Sequence, residues 1–221
     1  MIKLCVFDLD GTLINSLMDL AKSMNYALVL NGYKAHKLSA YNKFVGDGLN
    51  ILIQRAVYPE AIDEAILNKI RDDFNSHYKL HCFDNTVVYS GIFEMLKRFN
   101  SSNIKIAVLS NKPHQFAEEI VFKMFDEIQF YKVLGHSPKF PKKPSPLSLL
   151  DLLKSADIKN SECLYVGDSD VDIKTAQNAS VKSCGVSWGF RGREELIQAA
   201  ADYVIDSPEQ IFSVLEELFY K

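Results

Sequence analysis

No apolar run in this chain approaches the length needed to cross a bilayer. Positive charge is not in excess either: 25 Lys and Arg against 28 Asp and Glu leave a formal net charge of −3. Bulk attraction to nucleic acid or to an anionic membrane is therefore not expected. Cysteine is sparse. Cys5, Cys82, Cys163 and Cys184 form no Cys-x-x-Cys pair, which argues against a zinc site and for reduced core thiols. Internal repeats and low-complexity segments are absent as well. A strand-like run starts at residue 2 and leaves no room for a signal peptide, so the expected location is the cytoplasm. What is present is a chain of 221 residues, 48% apolar, with enough material for one large domain or two unequal ones.

The chain is organised around its first dozen residues. Ile2 to Phe7 is apolar apart from Lys3, carries β-branched and aromatic side chains, and is too short for a stable helix. It reads as a buried strand. Asp8 and Asp10 follow, then Gly11-Thr12. In an extended chain, positions i and i+2 point the same way, so the two carboxylates can share a face. Held close, they repel unless a cation, a donor or a shared proton compensates. Gly11 permits a sharp turn just beyond them.

From Asn15 to about Leu80 the pattern is helical, with no strand evident. Leu17, Leu20, Met24 and Leu28 recur at three- and four-residue spacing, and Asn31-Gly32 supplies a stop. A second helical stretch from Ser39 breaks at Phe44-Val45-Gly46-Asp47-Gly48. Leu49, Leu52, Ile53 and Ala56 resume the spacing up to Pro59, and Ala61 to about Tyr78 continues it. The remainder alternates. Strands are predicted at 104–109, 130–134, 163–166, 183–186 and 203–205. Helices are predicted from Tyr89-Ser90-Gly91 to Phe99, at 114–125, from the Pro138–Pro146 loop through Lys154, and at 171–179, 194–200 and 208–219. This is the pattern of βαβ units and a parallel sheet covered on both faces. The fold class is α/β, a Rossmann-like core with a small helical insert. Its core is expected at 1–14 and 85–221, and the insert at 15–84.

In such a sheet, ligands bind beyond the carboxyl ends of the strands, where strand order reverses. The first strand delivers Asp8 and Asp10 there. The strand 104–109 delivers Ser110-Asn111-Lys112-Pro113, and the strand 163–166 delivers Gly167-Asp168-Ser169-Asp170-Val171-Asp172. A Pro-rich loop adds Lys143. Each has a plain structural explanation: Ser110 or Asp168 as a helix cap, Lys143 as a solvated charge. Their coincidence on one edge is the argument for a site.

This set, Asp-x-Asp-Gly-Thr, then Ser after a strand, then Lys, then Gly-Asp-Ser-x-x-Asp, resembles the four motifs of the haloacid dehalogenase superfamily over essentially the whole chain. The resemblance implies Asp8 as nucleophile and Asp10 as general acid and base. It implies Ser110 and Lys143 on the phosphoryl oxygens, and Mg²⁺ held by Asp8, Asp168 and the Asp10 backbone carbonyl. Asp172 would orient Lys143 or the metal waters, and the part played by Asp170 is left open. The insert resembles a class-one cap. Val45-Gly46-Asp47-Gly48-Leu49, Ser110-Asn111-Lys112-Pro113 and Gly185 to Arg191 resemble the phosphoglycolate phosphatase branch. That likeness implies a phosphatase for a small phosphorylated metabolite, 2-phosphoglycolate first. Pyrophosphate, 5′-nucleotides, sugar phosphates or a silent ligand-binding role are the alternatives. Asn111, Gly46 and Gly48 are candidate substrate contacts, and Arg55, Lys43, Lys112 and Arg191 candidate partners for a substrate carboxylate. No nucleic-acid or membrane partner is expected, and the oligomeric state is left open, a monomer being compatible.

Overall fold

The computed structural model describes residues 1–220. The chain opens with strand β1 (Leu4–Phe7) and, after the Asp8–Leu13 turn, a two-residue strand β2 (Ile14–Asn15). β2 pairs antiparallel with β3 (Val87–Val88), and the four helices between them leave and rejoin the body of the molecule there. Strands β4 (Lys105–Pro113), β5 (Lys132–His136), β6 (Cys163–Gly167), β7 (Lys182–Val186) and β8 (Tyr203–Ile205) join β1 in one sheet. Every pairing in it is parallel, and the order is β5-β4-β1-β6-β7-β8. The chain builds outward from β1 on one side and then crosses to the other. β1 therefore stands at the reversal of strand order.

Strand alternation explains why both faces are covered. In β1, Cys5 and Phe7 point into one apolar cluster and Leu4 and Val6 into another. β4 does the same with Ile106 and Val108 against Ala107 and Leu109, and β6 with Leu164 and Val166 against Cys163 and Tyr165. Successive side chains on a strand face opposite ways, so a continuous apolar run needs helices on both sides. Helices α5 (Ile92–Asn100), α6 (His114–Met124) and α10 (Ile211–Tyr220) supply the first face. Helices α7 (Leu147–Ala156) and α8 (Asp170–Asn178) supply the second, and α9 (Arg193–Gln198) lies beside β7 and β8.

The intervening helices are α1 (Leu17–Leu30), α2 (Leu38–Phe44), α3 (Leu49–Val57) and α4 (Glu64–His81). They enclose a separate apolar cluster that includes Leu20, Met24, Leu28, Tyr41, Leu52, Ile53, Phe74 and Tyr78. One buried carboxylate ties this layer to the returning chain. Asp19 accepts hydrogen bonds from the Asn85 amide N–H (2.9 Å) and Nδ2 (2.7 Å), and from the Thr86 N–H (2.8 Å) and Oγ1 (2.7 Å). No helix among the described residues is long and apolar enough to cross a membrane.

Several boundaries differ from the sequence expectation, among them the strand expected at 130–134, which spans Lys132–His136. β4 extends to Pro113 and takes in Ser110 and Lys112, with a register irregularity against β5 between Leu109 and Pro113. Asn15 is paired in a strand, in a stretch expected to have none; two residues carry no readable period. The last helix starts with a separate 3₁₀ turn at Pro208–Gln210.

Phe99 reports on the first face. It is fully buried, edge-on to Phe7 at 5.9 Å between ring centroids and tilted against Phe212 at 5.2 Å. Phe99→Ala is expected to cost about 3–5 kcal/mol in urea unfolding, the usual range for an emptied aromatic site. A loss below about 1 kcal/mol would contradict this packing.

Candidate active site

Asp8 follows β1 directly, and its carboxylate meets Lys143, which arrives on the loop between β5 and α7. The Lys143 ammonium lies 2.9 Å from Asp8 Oδ1 and 2.7 Å from Asp172 Oδ1, with only 3% of its side chain exposed. Apart from that ammonium, the buried Asp8 Oδ1 has no polar partner among the described residues. Asp172 is oriented from its own helix. Ser169 caps α8, and Asp172 Oδ2 accepts from the Ser169 N–H (3.1 Å) and Oγ (2.6 Å). That leaves Oδ1 for the lysine.

Asn111 fixes the lysine's backbone. Its Oδ1 accepts from the Lys143 N–H (2.8 Å), and its Nδ2 donates to the Lys143 carbonyl (3.1 Å) and to the Gly46 carbonyl (3.1 Å) on the α2–α3 loop. Expected as a substrate contact, the Asn111 amide is engaged with two loops of the protein.

Asp168, at the end of β6, stands beside Asp8. The Phe190 N–H donates to its Oδ2 (2.8 Å), while Thr12 Oγ1 approaches its Oδ1 at 3.4 Å. Gly11 makes this approach possible. It has φ +87°, and a Cβ there would fall 2.3 Å from Asp168 Oδ2.

One oxygen each from Asp8, Asp168 and Asp172 lies within 4.8 Å of the other two. Burial drives the Asp8 carboxyl up to about 6, with Lys143 pulling it back down and Asp172 adding to the rise. Burial also lifts Asp168 well above the usual carboxylate range, helped by the Asp172 and Asp8 charges. Burial pulls the Lys143 ammonium down, but Asp172 and Asp8 outweigh it and hold the group well above an ordinary lysine. Three carboxylates against one ammonium leave excess negative charge in a buried place. Three clustered carboxylates offer hard oxygen donors that fit a divalent cation. Asp170, left open by the sequence, pairs with Lys174 on the half-exposed side of α8 and is not among the three clustered carboxylates.

Asp10 is held separately. Both of its oxygens accept from the Lys112 ammonium, at 2.9 and 3.0 Å, and Ser16 Oγ donates to Oδ1. Burial opposes the Lys112 charge, but Asp10 keeps it above the ordinary lysine value. Lys112, expected as a partner for a substrate carboxylate, is thus the counter-charge of Asp10.

Asp8, Asp10, Gly46, Gly48, Ser110, Asn111 and Lys112 line one cavity between the sheet edge and the four-helix layer. The other expected cations are not in its lining. Lys43 is exposed. Arg55 pairs with Asp47 at 2.7 Å and donates to the Lys43 (3.1 Å) and Phe44 (3.2 Å) carbonyls. Arg191 donates to the Val45 carbonyl at 2.9 Å and lies 3.8 Å from Asp47. Both arginines brace the α2–α3 loop. The Asp19 tie to Asn85 and Thr86 escaped sequence reading, since an acidic residue in a first helical turn looks like an ordinary dipole partner.

A parallel sheet with acidic, basic and hydroxyl groups gathered at its point of strand reversal defines an α/β enzyme fold of the Rossmann-like class. The sequence profile of the haloacid dehalogenase-like hydrolases matches residues 5–186, and the chain belongs to that family. It is 33% identical over 219 residues to the phosphoglycolate phosphatase of Vibrio parahaemolyticus serotype O3:K6, covering 97% of this chain and 96% of that one. It is 31% identical over 213 residues to that of Pseudomonas fluorescens strain Pf-5, covering 93% and 76%. Among solved structures, one described as a predicted phosphoglycolate phosphatase from Haemophilus somnus superposes with a TM-score of 0.90 at 28% identity, covering 97% and 98%.

The acidic cluster gives a test by thermal unfolding. In metal-stripped protein, a divalent cation at roughly a hundred times its Kd is expected to add about 2.7 kcal/mol near pH 7.5. The cation needs an ionised Asp8, and protons compete below about 6. The gain should therefore shrink toward pH 5, and Asp168→Asn should remove most of it. An equal gain at both pH values, or one unaffected by Asp168→Asn, would contradict the assignment.

Proposed function

We propose that this hydrolase is a Mg²⁺-dependent phosphatase that cleaves a small phosphate monoester through a phosphorylated Asp8, with 2-phosphoglycolate as the substrate to try first. The observation that carries the reading is Asp8 Oδ1, buried against the Lys143 ammonium alone among the described residues, on a cavity that Asp8 shares with Ser110 and Asp10. The names of the relatives in Vibrio and Pseudomonas supply the choice of substrate.

A carboxylate approaches an anionic phosphate only when charge on both is offset. Lys143 already offsets Asp8. In the reading proposed here, its ammonium and the Ser110 hydroxyl hold phosphoryl oxygens and stabilise the charge that builds on them in the in-line transition state. An Asp8 oxygen attacks phosphorus, the ester P–O bond breaks, and the Asp10 carboxyl gives its proton to the departing alkoxide. Asp10 then takes a proton from the water that displaces Asp8 from phosphorus, releasing inorganic phosphate. Lys112 and Ser16 hold the ionised Asp10 carboxylate in place, so in this reading one of its oxygens leaves Lys112 and takes up a proton before the ester bond breaks.

Asp8, Asp168 and the Asp10 backbone carbonyl would hold Mg²⁺, with Asp172 supporting Lys143. The bound ion supplies charge neutralisation and orientation of the phosphate. Residues 15–84 act as a cap over a core of 1–14 and 85–221, and the Gly46–Gly48 loop brings backbone amides toward the substrate.

Asp8→Asn is expected to abolish hydrolysis of 2-phosphoglycolate, and Asp10→Asn to slow it by about a hundred- to ten-thousandfold. Both should keep the circular dichroism spectrum of the parent. Undiminished turnover by Asp8→Asn would sink the reading.

A further inference from the structure

The cavity that would receive the alcohol portion of the substrate is small, about 60 Å³, and mostly apolar. Leu20, Leu49, Leu52, Phe74 and Phe116 form much of its wall. Such a surface offers nothing to the hydroxyls of a sugar or nucleoside, which would lose hydrogen bonds to water without replacement.

Besides Asp8, Asp10, Ser110 and Asn111, the polar side chains in the lining are Tyr78 and Lys112. Tyr78, on α4, is buried to 1% exposure, and its O–H has no acceptor among the described residues. Lys112 lies beside it, its ammonium 4.8 Å from the Tyr78 ring centroid. Lys112 hydrogen bonds go to both Asp10 oxygens, and the ammonium also faces the Tyr78 oxygen, so it is the phenol proton that is left without an acceptor. A buried hydroxyl proton without an acceptor is unfavourable, so a phenol in a cavity wall implies an acceptor that arrives with the ligand.

We infer that Tyr78 is a specificity-determining residue, whose hydroxyl donates its proton to an acceptor oxygen on the leaving group. The substrate class is a compact monoester with a single acceptor group, a carboxylate foremost, close to the ester oxygen. Polyhydroxylated and nucleoside monoesters are disfavoured. This inference rests on the phosphatase reading and assigns the end of the cavity that the reading leaves without a partner.

The test compares Tyr78→Phe with the parent on 2-phosphoglycolate and on ethyl phosphate, whose leaving group carries no acceptor. The ratio of the two kcat/KM values is expected to fall about tenfold, the worth of one hydrogen bond of about 1.4 kcal/mol, mostly through KM for 2-phosphoglycolate. Thermal unfolding without substrate should show Tyr78→Phe at least as stable as the parent, since an unpaired hydroxyl is removed. An unchanged ratio would overturn the assignment, and so would a clear loss of stability, which would mean that the hydroxyl is bonded within the protein. A parent enzyme inactive on every monoester tried would instead defeat the phosphatase reading itself.

Discussion

The structure depends on one buried ammonium. Lys143 stands between Asp8 and Asp172, and each of these three side chains comes from a different segment: the end of β1, the loop after β5 and the start of α8. Removing one member of a buried charge pair costs about 3–5 kcal/mol, because the partner is left uncompensated. Forming the set gains far less, since all three charges give up water. The arrangement serves position rather than stability. Its supports are themselves fixed: Asn111 holds the Lys143 backbone from both sides, and the Ser169 cap turns Asp172 toward it.

The same supports reach the helical layer. Asn111 touches Lys143 and Gly46 with one amide, and Arg191, from the segment after β7, holds the Val45 carbonyl next door. The loop over the cavity is thereby registered against the residues beneath it. Asp19 performs a similar duty at the far end, where four hydrogen bonds join α1 to the chain returning toward β3. A layer tied at both ends can form a wall of the cavity while keeping an apolar cluster of its own.

Much of this was legible in the residues alone. Continuous apolar runs of strand length predicted a parallel sheet with two covered faces, and the sheet has them because alternate side chains of β1, β4 and β6 enter different clusters. Asp8, Asp10 and Ser110 were singled out because strands of a parallel sheet all end on one edge, and Lys143 because a Pro-rich loop and the four-motif resemblance offered it. The rest depended on contacts that no spacing encodes. That Lys112 answers Asp10, that Arg55 and Arg191 are committed to Asp47 and to carbonyls, and that Asn111 bridges two loops are facts of packing across distant segments. A cation in sequence is a candidate for any anion. Only the fold shows which one it meets.

The claim on which all of this turns is that Asp8 becomes covalently bonded to phosphorus. The direct measurement is an acid quench during steady turnover of 2-phosphoglycolate, followed by digestion and mass spectrometry of the peptides. The account expects one added phosphoryl group on the peptide that contains Asp8, lost on mild base treatment as an acyl phosphate is. A phosphoryl group on Ser110 instead, or steady turnover with no phosphorylated peptide at any quench time, would contradict it.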